Sequence, residues 1–342
     1  MRTKLPKILV TGAAGFIGSA FVRLLIRRDC PRQSNKKAFR RGLSLIVLDK
    51  LTYAGDLERL KEVEGKYKFY KADICNKARI EAIFKKERPQ IVVNFSAETH
   101  VDRSILDSAP FIKTNITGTQ ILLDASKKYG VSKFIHISTD EIYGDIKKGS
   151  FSEDSPLHPN SPYAASKAAA DLLISSYIRT YNFPAIIIRP CNNYGPWQYP
   201  EKLIPLAILK ILRKEKIPIY AKGENVREWL YVGDCSEGIL QVLKKGKIGE
   251  VYNLGSSQER QNLEVAKMIL SMLNAPRSMI KFVKDRPGHD IRYRLNSQKV
   301  FKEIGWKPKI KFAKGLRITV DWCLKNKDWL LSKWEKIAPL YK

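Results

Sequence analysis

Short apolar runs alternate along this chain with longer stretches in which apolar residues recur every three to four positions. The runs at residues 7–10, 44–48, 67–71, 91–95, 134–138 and 185–189 predict strands. Between them, helical periodicity covers 19–28, 77–87, 109–129 and 161–181. Strands that alternate regularly with helices imply a parallel sheet covered on both faces. Beyond Arg189 the rhythm breaks: Pro200, Pro205 and Pro218 interrupt it, and helical and strand fragments mix. The pattern predicts an α/β unit over 1–190, to which 229–255 returns as helix and strand. A smaller mixed α/β region follows from 191–228 and 256–342. Residues 31–42 carry Arg32, Lys36, Lys37, Arg40 and Arg41 where a connection of a few residues would suffice. Five cations in that span predict a solvated loop dispensable for chemistry.

Composition changes this picture little. The 342 residues are enough for a sizeable buried core. The five cysteines (Cys30, Cys75, Cys191, Cys235, Cys323) are scattered, as in a reduced, cytoplasmic protein. The four histidines do not cluster, so no metal site is expected. No stretch suits a membrane span, and the glycines that follow the first apolar run argue against a signal peptide. The net charge of +28 suggests three things: a nucleic-acid surface, attraction of an anionic substrate, or a biased solvated surface. The basic residues are dispersed and no nucleic-acid motif accompanies them, so the third reading is preferred.

Chemistry enters with the glycines. Gly12, Gly15 and Gly18 follow the first strand and open the first helix, with Phe16 and Ile17 between them. That turn lets a pyrophosphate approach the backbone, and the helix N-terminus supplies N–H groups and a positive dipole. The sheet is therefore expected to be a Rossmann-type doubly wound one. Asp49 ends the second strand, where a carboxylate accepts from an adenosine ribose and repels a 2′-phosphate, favouring NAD over NADP. Asp73 and Ile74, after the third strand, could bracket the adenine; Asp73 could equally cap a helix.

Tyr163 precedes Lys167 by one helical turn, so both project from one face. An ammonium beside a phenol favours the phenolate, which can take a proton from a sugar hydroxyl as hydride departs. Thr139, Asp140 and Glu141 follow the fifth strand, at the sheet edge where doubly wound folds bind ligands. Adjacent carboxyls there can act as an acid and a base of separated pKa, which points to elimination of water; a helix cap is the plainer reading.

Together these stretches resemble the extended short-chain dehydrogenase/reductase family, in its nucleotide-sugar 4,6-dehydratase branch. The likeness runs through nearly the whole chain. It includes Asp-Lys-Leu-Thr-Tyr-Ala-Gly at 49–55, Ser-Ala-Glu-Thr-His-Val-Asp-Arg-Ser at 96–104 and Ser-Thr-Asp-Glu-Ile-Tyr-Gly-Asp at 138–145. Tyr-Ala-Ala-Ser-Lys at 163–167, Asn-Asn-Tyr-Gly-Pro at 192–196, Pro-Glu-Lys-Leu-Ile-Pro at 200–205 and Asp-Arg-Pro-Gly-His-Asp at 285–290 continue it. The Thr-Asp-Glu triplet and the last two segments are the most specific.

The resemblance implies oxidation of dTDP-glucose at C4, loss of water across C5–C6 and return of hydride to C6. Tyr163, paired with Lys167, would be the base at the C4 hydroxyl. Glu141 would be the base at C5, Asp140 the acid at C6, and Thr139 would contact the C4 oxygen. It implies a cofactor lining that adds Lys50, Leu51, Thr52, Phe95, Ser96, Ala97, Glu98, Thr99, Thr114 and Asn193. It implies a sugar-nucleotide lining of Thr99, Thr139, Asn192, Lys202, Leu203, Pro218, Ile219, Tyr220, Arg227, Asn262, Asp285, Arg286 and His289. Cofactor would then sit on 1–190 and the nucleotide sugar on the smaller region, in a homodimer. Trp197-Gln198-Tyr199 and the 221–225 turn depart from the usual dTDP-enzyme pattern beside the base pocket. A UDP-sugar 4,6-dehydratase, a 4-epimerase or a decarboxylase are therefore the related alternatives. A non-catalytic dinucleotide-sensing or RNA-binding protein is the alternative of another class.

Overall fold

A computed structural model describes residues 6–29 and 44–338. The basic segment 31–42 lies outside the described residues. Seven strands form the large sheet: β1 (Lys7–Thr11), β2 (Ser44–Asp49), β3 (Lys68–Lys71), β4 (Ile91–Asn94), β5 (Lys133–Ile137), β6 (Ala185–Pro190) and, after three strands of the smaller region, β10 (Val251–Leu254). Those three are β7 (Asn192–Tyr194), β8 (Ile217–Tyr220) and β9 (Val226–Tyr231); β11 (Glu259–Gln261) and β12 (Ile280–Val283) follow later. The large sheet runs β10-β6-β5-β4-β1-β2-β3. Every neighbouring pair in it is parallel. The chain reverses its direction of travel across the sheet between β1 and β4, and the crevice beyond those strand ends is where doubly wound sheets hold ligands.

The runs read as strands because they are buried on both faces. Ile186, Ile187 and Ile188 of β6 have no exposed surface, nor do Leu9 and Val10 of β1. One face is covered by α1 (Phe16–Asp29) and a later helix over Val232–Lys245. The other is covered by α2 (Lys77–Glu87), α5 (Thr119–Lys128) and α6 (Pro162–Tyr181), with α3 (Val101–Leu106) and α4 (Ala109–Phe111) packed on α6. The helix expected over 109–129 is interrupted by a π-helical turn, Ile112–Gly118. Gly118 sits where a Cβ would strike the Ile74 side chain at 2.6 Å, so this turn can lie close to the cofactor side of the sheet.

Beyond β6, α7 (Leu203–Leu212), α8 (Val232–Lys245), α9 (Asn262–Met272), α10 (Gln298–Ile304), α11 (Phe312–Lys325) and α12 (Lys327–Glu335) complete the chain. A second sheet, β11-β9-β7, and the β12-β8 pair lie in this part. The return expected over 229–243 divides. Trp229–Tyr231 pairs with β7 in the small sheet, α8 packs on α1, and β10 alone joins the large sheet. The second core, around Tyr194, Ile208, Ile269, Leu316 and Trp329, is helical and aromatic. Each apolar side chain of this size contributes about 1.5–3 kcal/mol on full burial.

Candidate functional site

A cavity of about 710 Å³ runs from Gly12 and Ile74 at one end to His289 and Lys281 at the other, between the large sheet and the smaller region. Sites of this size take small molecules and cofactors. Among the described residues, no group of histidine, cysteine and acidic side chains is arranged to hold a metal ion.

At the first end the wall is mostly backbone. Gly12 has φ +64°, and a Cβ there would lie 2.6 Å from the Phe95 backbone, so glycine is required. The first turn of α1 carries no acidic residue, which leaves its N-terminus open to an anion. Asp49 closes β2, and its two oxygens accept from the Ala14 and Leu51 N–H groups at 2.9 and 2.8 Å. Burial raises its carboxyl; those N–H groups and the Arg59 guanidinium pull it back. Lys50 pairs with Asp73 at 2.7 Å beside Ile74. Asp73 also accepts from Cys75 N–H, while the cap of α2 is Asn76. Thr52, Phe95, Ser96, Ala97, Glu98, Thr99, Thr114 and Asn193 line the same stretch. Leu51 does not; it bends the chain in the left-handed region at φ +57°. A glycine cradle at an open helix end, with a carboxylate one strand away, fits a dinucleotide whose ribose bears no phosphate.

The middle of the cavity holds the titratable cluster. Ser161 caps α6 by accepting from Ala164 N–H at 3.1 Å, and Pro162 occupies its first position. Tyr163 and Lys167 are thereby fixed in the first two turns. Both are buried, and both line the cavity. The sequence gives Lys167 the task of favouring the Tyr163 phenolate. Here its Nζ instead donates to the Ile137 carbonyl at 2.7 Å and lies 3.2 Å from His136 Nε2. Burial, then Glu141, pushes the Tyr163 phenol well up, and a hydrogen bond with Thr139 works against them.

Thr139 caps the short 3₁₀ turn Asp140–Tyr143, its hydroxyl accepting from Glu141 N–H at 3.3 Å. The cap and the chemical cluster are therefore one structure. Asp140 is 1% exposed, and its Oδ2 has no partner. Burial raises its carboxyl far above the usual range, and Glu141 and Glu228 add to that. Glu141 is also raised by burial, but Arg286 and Arg227 oppose the rise. Both carboxyls are thus pushed up, Asp140 further; Arg227 opposes the rise at both, and Arg286 is the largest opposing charge at Glu141, which separates the neighbours.

At the far end long side chains dominate. Asn192, Lys202, Leu203, Pro218, Ile219, Tyr220, Arg227, Asn262, Arg286 and His289 line the cavity, and Asp285 stands outside it, accepting from His289 Nδ1 at 2.6 Å. Arg227 is pinned by the Val226 and Asp290 carbonyls at 2.8 and 2.9 Å and lies over the Tyr293 ring. Arg286 pairs with Asp102 at 2.7 Å, and its Nε is free of partners. Asn192 Oδ1 and Asn262 Oδ1 are likewise buried without a partner, as in a site that awaits polar ligand groups.

Sequence reasoning missed Asp102 and Glu201 on the wall and Tyr53 and Asn115 behind it. Tyr53 donates to Glu201 at 3.0 Å, tying the two sides of the cavity, and Asp102 accepts from Tyr220 at 3.0 Å. Asn115, on the π turn, links Glu98 to Ser166. Its only advance signal is the run Thr114, Ile116, Thr117 and Gly118, a poor stretch for a regular helix.

The fold and the site define an enzyme of the extended short-chain dehydrogenase/reductase kind. The chain belongs to the family described as GDP-mannose 4,6 dehydratase, which it matches over residues 9–319. It is 44% identical over 333 residues to a dTDP-glucose 4,6-dehydratase of Streptomyces niveus, covering 97% of this chain and 95% of that one. The solved dTDP-glucose 4,6-dehydratase of Streptomyces venezuelae, with NAD bound, superposes with a TM-score of 0.89 at 43% identity, covering 96% of this chain and 99% of that one. A UDP-glucose 4-epimerase of Thermotoga maritima gives 0.85 at 32% identity, over 94% and 99% of the two chains.

Proposed function

We propose that the protein converts dTDP-glucose to dTDP-4-keto-6-deoxyglucose with a tightly held NAD. The observation that carries this is the pair of adjacent carboxyls, Asp140 and Glu141, on the cavity wall with Tyr163, where burial raises both and Arg286 opposes the rise at Glu141. An epimerase has no use for such an acid and base, whereas elimination needs both. Full-length relatives that carry the dehydratase name support the same reading.

Bound NAD would supply the hydride acceptor for C4 of the sugar and the hydride donor for C6. The residues that would hold it are those of the glycine turn, Asp49, the 95–99 strand end, Thr114 and Asn193. Tyr163 takes the proton of the C4 hydroxyl, and Thr139 donates to the carbonyl oxygen that forms. The 4-ketone acidifies the C5 proton, which Glu141 removes. Asp140 gives its proton to the C6 hydroxyl, which leaves as water, so the C5–C6 bond becomes double. As hydride reaches C6, Glu141 returns a proton to C5. Arg227 and Arg286 face the diphosphate, where planar guanidinium groups pair well. The cofactor rests chiefly on 1–190, with α8 and β10 returning to that part, while 191–231 and 256–342 supply most of the nucleotide-sugar lining and Asn193 reaches back to the cofactor.

The protein acts as a cytoplasmic homodimer in this proposal. Leu106, Ile112, Leu172 and Tyr181, on the α3–α6 layer, are half or more exposed, an apolar face that a second copy would cover. No helix among the described residues is long and apolar enough to cross a membrane.

Incubation with dTDP-glucose and UDP-glucose, with products identified by mass, tests the proposal. Loss of one water from the dTDP sugar is the expected result. A product of unchanged mass would turn the reading to an epimerase, and exclusive use of the UDP sugar would change the base.

A further inference from the structure

A buried polar chain beneath Lys167 takes no part in the steps above. Thr11 Oγ1 donates to Asn94 Oδ1 at 2.6 Å, and Ser96 N–H donates to the same oxygen at 3.1 Å. The amide oxygen is thereby committed, and the Asn94 NH₂ faces His136 Nδ1 at 3.2 Å. Nδ1 must accept that bond. A neutral imidazole carries one proton, so the proton sits on Nε2. His136 is 1% exposed, and burial with the Lys167 charge beside it holds it neutral. Nε2 lies 3.2 Å from Lys167 Nζ. A proton-bearing nitrogen therefore confronts the lysine. A neutral amine can accept from it, whereas an ammonium cannot.

The other groups facing Lys167 are few. The Ile137 carbonyl accepts from it at 2.7 Å. Asp171, one turn further along α6, favours the ammonium, but Arg189 of β6 shares that carboxylate at 3.0 Å. Tyr163 stands on the preceding turn. The second Asp171 oxygen lies 3.9 Å from His136 Nε2, beyond hydrogen-bond reach, so it leaves the Nε2–H facing Lys167.

We propose that His136 is a positioning residue for Lys167: its tautomer, set by Asn94, presents a donor to the lysine and lowers the pH at which that lysine exchanges between ammonium and amine. Burial works in the same direction and draws the lysine to about 8. Only a proton moves, from Nζ to solvent as pH rises. The consequence for chemistry rests on the dehydratase reading. On that reading the Lys167 charge, one turn from Tyr163 and without touching it, favours the phenolate through space, so oxidation at C4 has an alkaline limb governed by the His136–Lys167 pair.

Two readouts test this. Nitrogen-15 spectra of histidine-labelled protein, purified with its cofactor, report the tautomer directly, with the His136 signal assigned by its loss in His136→Gln. The Nε2–H form is expected, and Asn94→Asp, whose carboxylate accepts from Nδ1–H, should switch it. An Nδ1–H form in the unsubstituted protein overturns the proposal. In parallel, the alkaline limb of NADH formation with dTDP-glucose should move up by about one pH unit in both variants, because each offers the ammonium an acceptor. A rate that falls equally at every pH with the limb unmoved is a merely structural effect and overturns it too. Should the protein form no NADH with the sugar, the dehydratase reading fails, and the tautomer measurement still decides the positioning role. Should His136→Gln fail to fold, Asn94→Asp carries both readouts.

Discussion

The two ends of the cavity are built in different ways. The cofactor end is formed by backbone and by short side chains from neighbouring strand ends: Gly12, Gly15, Asp49 and Ser96. The nucleotide-sugar end is formed by long side chains from α7, β8, β9 and the 285–289 segment, held by one another across space, as Asp102 holds Arg286. Backbone recognition tolerates little change in shape. Side-chain recognition tolerates change and so can be retuned. The chemical cluster lies between them and depends on both: Thr139, Asp140 and Glu141 leave the large sheet, while Arg227 and Arg286 from the other end keep Glu141 ionisable.

The sharpest way to break this comparison is at the cluster. Glu141→Gln should leave oxidation at C4 intact and remove the base at C5, lowering product formation by roughly 10²- to 10⁴-fold. Absorbance of reduced nicotinamide should then build up on mixing with dTDP-glucose. Tyr163→Phe should instead prevent that absorbance from appearing. Wild-type turnover by Glu141→Gln would remove it from the elimination.

At the cofactor end the prediction concerns shape. Gly12→Ala places a side chain at φ +64°, which costs about 1–2 kcal/mol, and drives its Cβ against the Phe95 backbone. Most of the NAD that should accompany the purified protein ought to be lost, as measured by nucleotide released on denaturation. Full retention would show that the glycine turn does not cradle the cofactor.

This asymmetry also governs what the sequence reveals. The Rossmann-type sheet is legible because its strands are continuous apolar runs and its glycine turn is local. The Asp140–Glu141 pair is legible because it directly follows such a run. Asp102, Glu201 and Tyr53 are not, since each acts through a partner more than a hundred residues away. The pairing of Trp229–Tyr231 with β7 rather than with the large sheet is hidden for a related reason: an apolar strand carries no mark of which sheet it joins. In sequence His136 is one more residue of an apolar strand, and only the 3.2 Å approach of Lys167 Nζ to its Nε2 sets it apart.

At the nucleotide-sugar end the expected effect is graded. Arg286→Gln removes a charge-assisted contact of about 1.5–3 kcal/mol, raising KM for the nucleotide sugar roughly 10- to 100-fold. NAD content should not change, because Arg286 lies at the other end of the cavity. A loss of NAD would mean that the two ends are not independent.

The smallest effect separates site from scaffold. Glu87, at the end of α2, accepts from Lys68, Tyr70 and Lys7, far from the cavity. Burial works to raise its carboxyl, but those donors outweigh it and hold it down at about 2. An unfolded glutamate titrates near ~4.3, so the unfolded chain takes up this proton first as pH falls. The contribution of Glu87 is therefore complete above about pH 5 and disappears as pH drops toward the folded value. Because the ion pairs reach the surface, their worth is about 1 kcal/mol rather than the full shift. Glu87→Gln should lower urea stability by that amount at neutral pH and flatten the acid side of the stability curve. Glu87 braces β1 and β3 at their first residues, Lys7 and Lys68, the ends opposite those that carry the glycine turn and Asp73, so the comparison predicts a specific silence: NAD content and KM should both stay at their unsubstituted values. If either moves with so small a loss of stability, the glycine cradle is not rigid, and recognition by backbone is no firmer here than recognition by side chains.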